Sequence, residues 1–308
     1  TIRGVFMTSM DETRVFLERL GLPGGDAYEL PTSEKRFSDG GQYRFEAPGI
    51  QGPAAMCALL ESTAHYGVAI HRVTQTKGIM FLLDSEIEQM VALAEKHQVQ
   101  LILAIGPRAT TDTSATAKTE EGKRIGYRLR GQEQVVRAIE EVKRAAHFGV
   151  RGFMVYDEGC LWVLNEARKA GEVPADCHFK LSAHAGVGNP CSARLMESIG
   201  ADSINPVRDI QLQMLAAMRQ AISVPLDVHT ENPASSGGFI RHYEVPEMIR
   251  VGAPIYLKTG GSVAQSHSWD TTEAQAAQRA KQIALVKRMI DQYYPDAVAS
   301  PQGSLAWR

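Results

Sequence analysis

Alternating apolar and polar positions predict a repeated strand-then-helix pattern along most of the chain. Short runs with a period of two predict strands, and segments with the helical period of 3.6 follow them. Eight such units over about 250 residues predict a (β/α)8 TIM barrel. The predicted strands are 43–47, 69–75, 99–105, 152–157, 178–183, 202–205, 226–231 and 254–258.

The competing architecture is a doubly wound open sheet, which requires a turn of the GxGxxG type after the first strand. The sequence at that point, EAPGIQGPAA, matches this pattern only loosely, so the barrel is favoured. Residues 1–40 precede the barrel, and we expect their one short helix, 12–20, to cover its bottom. The predicted domains are an N-terminal extension, 1–40, and a barrel domain, 41–308.

The seventh and eighth predicted strands carry charge on one face. Asp227, His229 and Glu231 alternate with apolar residues on the seventh strand, and Tyr256 and Lys258 do so on the eighth. Unpaired charge is costly to bury, and the C-terminal ends of barrel strands carry the active sites. The two strands therefore predict an active site at that end of the barrel.

The inward faces of the other strands extend the predicted site. They contribute acids, histidine, tyrosine and asparagine near the strand ends. The predicted catalytic residues are Tyr156, Glu158, His184, Glu231 and Lys258. The predicted substrate-binding residues are Glu46, Arg108, Asn205, Arg241, His242, Gly260, Gly261 and Ser262.

Two glycine-bearing segments predict anion binding. Gly260, Gly261 and Ser262 follow the last strand, where barrel enzymes often bind phosphate with backbone N–H groups. A second Ser/Gly segment, 235–238, precedes Arg241 and His242. Arg108 belongs to a long segment, 106–132, without clear helical periodicity. This segment is either a cationic lid over an anionic substrate or a solvated surface excursion.

Three mechanisms remain open for these residues. Glu158, His184, His229 and Glu231 could bind a divalent Mn, Zn or Fe ion, because imidazole and carboxylate ligands suit these metals. Lys258 could act as a nucleophile toward carbonyl carbon, or as a base, if burial lowers its pKa. Metal-free acid–base chemistry by His184, Glu231 and Tyr156 is the third mechanism.

Composition narrows the class of protein. Hydrophobic residues make up 44% of the chain and charged residues 22%, which predicts a globular protein. The net charge of -2 gives no reason to expect nucleic acid or membrane as a partner, and no apolar run reaches the roughly 18 residues of a membrane helix. The four cysteines show no CxxC spacing and the N-terminus no signal-peptide pattern, so we expect a cytoplasmic protein. A homo-oligomer is expected because barrels often pair.

The last third of the chain resembles a known group of barrel proteins. The segments GADSINP and VPLDVHTENPASSGGFIRHYEVPEMIRVGAPIYLKTGG are similar to the U32 peptidase-like set. The resemblance implies a barrel and says little about the reaction. Iron–sulfur members of that group use a cysteine cluster, which the scattered cysteines here do not match. No protease triad is recognisable either, so peptidase activity is not carried over.

The sequence favours an enzyme acting on a small anionic carbonyl or hydroxy-acid substrate. A lyase that breaks a C–C or C–O bond fits the predicted residues best. One alternative is an isomerase or epimerase acting on a sugar or sugar acid. Another is a barrel without catalytic activity that docks into a larger assembly through a tail containing Trp307.

Overall fold

The predicted TIM barrel is confirmed. The computed structural model describes residues 9–264 and 270–304. Eight parallel strands follow one another around a closed barrel in sequence order, and the eighth pairs back with the first. The strands are β1 (Tyr43–Pro48), β2 (Arg72–Gln75), β3 (Gln100–Ala104), β4 (Gly152–Val155), β5 (His178–Leu181), β6 (Ser203–Ile204), β7 (Leu226–His229) and β8 (Ile255–Lys258).

A helix follows each strand, and one more precedes the barrel. The helices are α1 (Ser9–Arg19), α2 (Pro53–Tyr66), α3 (Asp84–His97), α4 (Gly131–His147), α5 (Glu158–Ala170), α6 (Pro190–Ser198), α7 (Leu212–Ala221), α8 (Val245–Gly252) and α9 (Glu273–Tyr293). The outward side chains of the strands, such as Phe45, Val73 and Phe179, are buried between strands and helices in one apolar core. Burial of this layer is the main favourable term in folding. Within the described residues, no helix is long and apolar enough to cross a membrane.

Side-chain caps determine where two of the helices begin after their strands. Asn189 accepts a hydrogen bond from Ser192 N, and Pro190 occupies the first position of α6. Asp157 accepts one from Cys160 N and so starts α5. Because the cap lies at Asp157, Glu158 is a helical residue and not part of the inward face of β4, which corrects its predicted position.

The chain that follows α1 covers the bottom of the barrel, whereas α1, which we expected there, is exposed along most of its length. Phe37 is 2% exposed and packs edge-on against Tyr256, with ring centroids 5.2 Å apart. The Arg44 guanidinium lies 3.9 Å from the Phe37 ring centroid and 2.8 Å from Asp39 Oδ2. Ser300, near the other end of the described chain, accepts a hydrogen bond from Arg44 Nε at 2.8 Å. These contacts close the N-terminal end of the barrel.

Candidate active site

A pocket opens at the C-terminal end of the strands and holds about 620 Å³ of space, part of it open to solvent. Its charged side chains are Lys258, Arg208 and Arg279, and no carboxylate lines it among the described residues. The pocket therefore favours an anionic ligand. The lining residues are Pro48, Gly49, Gln51, Thr76, Met154, Tyr156, Ser182, Ala183, His184, Asn205, Arg208, His229, Asn232, Pro233, Lys258, Gly261, Ala264, Thr271 and Arg279.

A cluster of four buried charges lies beneath the pocket. Arg72 Nη1 is 2.7 Å from Asp227 Oδ1 and 3.5 Å from Glu46 Oε2. Lys180 donates a short hydrogen bond to Glu46, and its Nζ is 3.7 Å from Asp227 Oδ1. Two cations thus match two carboxylates, as buried charges require. Glu46 was predicted to bind substrate, but the structure places it in this cluster, outside the pocket lining.

Lys258 is a third cation above this balanced cluster. Its Nζ donates to Asn205 Oδ1 at 3.0 Å and lies 3.8 Å from Glu46 Oε1. Burial, followed by the charge of Lys180, lowers the pKa of Lys258 to about 7, although the charge of Glu46 opposes the shift. The amine can therefore be uncharged near neutral pH. Asn205, which was predicted to bind substrate, lines the pocket and orients this amine.

His184 lies at the pocket wall beyond β5. Its Nε2 is 2.9 Å from Arg208 Nη2. A guanidinium can only donate, so Nε2 accepts and the imidazole is neutral with its proton on Nδ1. Tyr127 stacks on the ring, with centroids 3.5 Å apart and planes 12° apart. His184, which was predicted to be catalytic, thus lines the pocket, and its catalytic role stays a prediction.

Tyr156 also lines the pocket, and Arg108 lies behind it. The Tyr156 hydroxyl donates to Thr76 O at 3.3 Å, and burial raises the pKa of this phenol. Arg108 is 2% exposed, donates to Thr76 O at 3.1 Å, and its guanidinium lies 4.7 Å from the Tyr156 ring centroid. Arg108 therefore supports the pocket wall and is not among the lining residues, in contrast to its predicted contact with substrate.

The long segment 106–132 packs against this wall. Its two ends are joined by hydrogen bonds from Ala109 N to Arg128 O and from Thr110 N to Gly126 O. Three short 3-10 turns, which the sequence did not indicate, occupy the interior of the segment. Besides Arg108, Tyr127 contacts the pocket wall, because its ring packs against Tyr156 and stacks on His184. The basic side chains described there do not line the pocket.

The predicted anion cradle after β8 holds a carboxylate of the chain itself. Gly260 N donates to Glu231 Oε1 at 2.5 Å, and Ser262 Oγ donates to Glu231 Oε2 at 2.9 Å. His242 Nε2 lies 2.9 Å from the same Oε2 atom. Hydrogen bonds therefore join Glu231 to Gly260, Ser262 and His242, and these four residues lie outside the pocket lining. Gly261 of the predicted cradle does line the pocket. The predicted catalytic role of Glu231 is not supported by its place.

Two further predicted residues lie outside the pocket lining. Arg241 donates from Nη1 to Ile210 O at 2.6 Å and pairs with Glu244. Glu158 is half-exposed at the start of α5 and forms a close ion pair with Arg128. Both charges have structural partners of their own.

The four predicted metal ligands are not brought together. Glu158 pairs with Arg128, His184 with Arg208, and Glu231 with the loop after β8, while His229 lines the pocket beside Lys258 in the strand register. Across residues 9–264 and 270–304 no group of three or more His, Cys, Asp or Glu side chains could hold a metal ion. That ligand set is therefore corrected. Whether the protein binds a metal stays a prediction, which elemental analysis of the purified protein tests.

Among the pocket residues that were not predicted from the sequence, three matter most for ligand binding: Arg208, Asn232 and Arg279. Arg208 follows β6, Asn232 follows β7, and Arg279 lies on α9. Arg279 is 4% exposed on the same helical face as Ala276, Ala280 and Ile283. An arginine on an otherwise apolar face was the available signal, because a buried charge needs a specific partner or ligand. The positions of Arg208 and Asn232 just beyond strand ends were a weaker signal.

No family model and no curated protein matches the chain. Among solved structures, a U32 peptidase is 18% identical, with 66% of this chain and 74% of that one covered and a TM-score of 0.39. A native KDPGal structure is 11% identical, with 81% and 96% covered and a TM-score of 0.49. A 3-hexulose-6-phosphate synthase is 14% identical, with 79% and 99% covered and a TM-score of 0.43.

The resemblance to the U32 group noted in the sequence thus has a weak structural counterpart. At these identities and TM-scores, the similarities carry no argument about the reaction of this chain. The barrel itself rests on the strand pairing described above.

Proposed function

We propose that this protein is a lyase of the aldolase type, which cleaves a small anionic carbonyl compound bound as an imine to Lys258. One observation carries the proposal. The amine of Lys258 lies in a cationic pocket without a lining carboxylate, and its pKa is lowered to about 7. Lysines that form imines need this lowered pKa, because only the uncharged amine attacks a carbonyl carbon.

The buried charges explain why Lys258 can lose its proton. Arg72 and Lys180 already match Glu46 and Asp227. A proton on Lys258 adds a fifth charge to this cluster, and within residues 9–264 and 270–304 no carboxylate lies nearer to it than Glu46 at 3.8 Å. Burial of an unmatched cation is costly, so the uncharged form gains population.

The proposed reaction follows from an uncharged amine in this place. Lys258 Nζ attacks the substrate carbonyl carbon, and the adduct loses water to give an iminium ion. The bond between the α and β carbons of the iminium ion then breaks, and its electron pair moves toward the iminium to give an enamine. At the same time the hydroxyl group on the β carbon loses its proton and becomes a carbonyl, so this fragment leaves as an aldehyde or ketone. A proton then adds to the enamine carbon, and water hydrolyses the resulting imine, which regenerates the amine.

Other pocket residues have roles consistent with this sequence. Arg208 and Arg279 neutralise the negative charge of the substrate. His229 is the register neighbour of Lys258 on β7 and lines the pocket, so it is placed to exchange protons with substrate. Asn205 holds the Lys258 amine toward the barrel axis through its side-chain oxygen.

An isomerase is the second candidate, and the same amine supports it. With a pKa near 7, Lys258 could remove a proton next to a carbonyl without forming a covalent bond. Product analysis by NMR separates the two activities, because only the lyase gives two fragments.

Borohydride trapping tests the imine directly. The protein is incubated with small anionic aldehydes and 2-oxo acids, reduced with borohydride, and analysed by intact mass and peptide mapping. We expect a stable adduct on Lys258 and its loss in Lys258→Met. The matched control is Lys77→Met, because Lys77 lies after β2 at the same end of the barrel but does not line the pocket. Equal adduct yields in wild type and Lys258→Met would exclude the proposed imine.

A further inference from the structure

We propose that the substrate of this pocket carries two negatively charged groups, one bound by Arg279 and one by Arg208, with its reacting carbonyl between them. The inference deepens the proposed function, on which the role of the carbonyl rests. The substrate class is therefore an oxo acid with a second acidic group at its far end, either a carboxylate or a phosphate.

Arg279 forms the first anion subsite. It reaches the pocket from α9 and is 4% exposed, and no carboxylate of the described chain lies within salt-bridge distance of it. Its Nη1 donates to Gly260 O at 2.6 Å, while its Nε has no hydrogen-bond partner among the described residues. A buried guanidinium with one neutral partner is costly, so an anion in the pocket would stabilise it.

The chain around Arg279 leaves room for its guanidinium. A Cβ atom on Gly49 would lie 3.2 Å from Arg279 Nη2, and a Cβ on Gly260 would lie 2.7 Å from its Cβ and Cγ. Both glycines have positive φ angles, +72° and +98°. The arginine thus passes between the turn after β1 and the turn after β8 into the pocket.

Asn232 adds an independent observation at the pocket wall. It is 1% exposed and lines the pocket, and neither its Oδ1 nor its Nδ2 has a hydrogen-bond partner in the described part of the chain. A buried amide without a hydrogen-bond partner destabilises the folded protein. A ligand that accepts from Nδ2 or donates to Oδ1 would remove this cost.

Arg208 forms the second anion subsite. Its Nη2 donates to the neutral His184, and no carboxylate of residues 9–264 or 270–304 lies within salt-bridge distance of it. Burial lowers the pKa of Arg208, and the nearby Tyr127 and Tyr156 oppose the shift. An arginine side chain keeps its proton at neutral pH even when its pKa is lowered. Arg208 therefore remains a cation with hydrogen-bonding capacity left for a ligand.

The two subsites lie at different places around the rim of the barrel. Arg279 passes between the turns after β1 and β8, whereas Arg208 follows β6 and is hydrogen-bonded to His184 beyond β5. The Lys258 amine lies between them, because it belongs to β8 and donates to Asn205 beyond β6. A ligand with one anionic group would engage only one arginine.

The test compares ligands with one and two acidic groups, with and without a carbonyl. Thermal stabilisation is measured with acetate, succinate and glutarate at equal ionic strength, and borohydride trapping with pyruvate, 2-oxoglutarate and 2-oxoadipate. We expect the diacids to act at concentrations ~10-fold lower than the monoacids, the size of one additional charge-assisted contact. Arg279→Gln and Arg208→Gln should each remove this preference, whereas the equal charge change in Lys77→Gln should keep it.

The outcomes separate the two proposals. Equal effects of monoacids and diacids on the wild type, or a preference that persists in both arginine variants, would overturn the two-anion site and leave the imine in place. Stabilisation by diacids with no trapped adduct would support the two-anion site and reject the imine. If Arg279→Gln does not fold, Arg208→Gln and the ligand comparison on the wild type give the answer.

Discussion

Lys258 shows how a single side chain can favour chemistry at the expense of stability. Its amine lies above two carboxylates that Arg72 and Lys180 already match. Burial and the Lys180 charge therefore lower the pKa of Lys258 to about 7. Near neutral pH a part of the molecules therefore carries the uncharged amine, which is the form that the proposed imine requires.

The rate of adduct formation should rise with pH through about 7 and then level off, because only the uncharged Lys258 amine attacks a carbonyl. Initial rates of borohydride-dependent adduct formation from pH 5.5 to pH 9 measure this dependence. The substrate is chosen so that its own charge does not change over this range. An inflection above about 9, near the range of an exposed lysine, would contradict the charge argument.

Replacement of Lys258 by Met should abolish trapping and leave stability unchanged or increased at pH 7. The pKa of Lys258 in the folded protein lies below the unfolded value of 10.5. The buried lysine therefore destabilises wild type fully below about pH 7, and this destabilisation disappears as the pH rises toward 10.5. We expect Lys258→Met to be more stable by on the order of 2 kcal/mol at pH 7, with a smaller difference at pH 10. Denaturant unfolding at both values measures it; a variant less stable at pH 7 contradicts this expectation.

Single residues were predictable where their chemistry followed from strand position. Lys258, Asn205, Tyr156 and His184 were predicted from inward faces and line the pocket. Glu231 was predicted from the same alternation, but its partners lie in a distant loop, and a pattern of period two contains no information on such contacts.

At the scale of elements, α9 contributes as much to the pocket as a strand does. Its buried face carries Arg279 toward the turns that hold Gly49 and Gly260. The position of one guanidinium therefore depends on the backbone of two loops, and changes in these loops should alter ligand binding.

Gly49→Ala should destabilise the protein by about 1 kcal/mol and weaken stabilisation by succinate. Its φ of +72° disfavours a side chain, and the added methyl group would lie 3.2 Å from Arg279 Nη2. The control is Gly52→Ala in the same loop, where φ is -167° and no atom lies within 4 Å of an added Cβ. Thermal melts with and without succinate measure both effects; equal behaviour of the two variants would refute this role of Gly49.

The elements themselves were largely predictable, and their ends were not. All eight predicted strands overlap the observed ones, whereas β4 ends at Val155 instead of the predicted 157. The difference arises from the Asp157 cap, a hydrogen bond between a side chain and the backbone that hydrophobic periodicity does not register. The same displacement moved Glu158 out of the predicted site.

At the scale of the whole molecule, one set of stabilising contacts lies at the end of the barrel opposite to the pocket. At the bottom of the barrel, Asp39 joins the N-terminal extension to Arg44 and to Ser300 and Ser304 near the other end of the described chain. Burial tends to raise the pKa of Asp39, but hydrogen bonds from Ser304, Gly41 and Arg44 together lower it to about 2. The residues involved lie at the opposite end from Lys258.

Asp39→Asn should lower the melting temperature by a few degrees at pH 7 without changing adduct formation at Lys258. Because the folded pKa of Asp39 is lowered, its contribution is complete above about 3.8 and is lost as the pH falls toward 2. The difference between wild type and variant should therefore narrow over that range. Asp26→Asn, an exposed site in the same extension, is the control. A difference that is constant from pH 7 to pH 2.5 would show that the carboxylate charge is not the cause.

The architecture of the whole molecule was predictable because eight repeats of one pattern have few alternative arrangements. The covering of the barrel bottom by Phe37 and Asp39 was not, since irregular chain has no period from which its packing could be inferred.

The carboxylate of Glu231 has a consequence for how ligands meet the loop after β8. Since Glu231 already accepts hydrogen bonds from Gly260 N and Ser262 Oγ, the turn 260–262 is held in place without a bound anion. A ligand then loses no binding free energy to ordering this backbone, and more of that energy can stabilise the transition state.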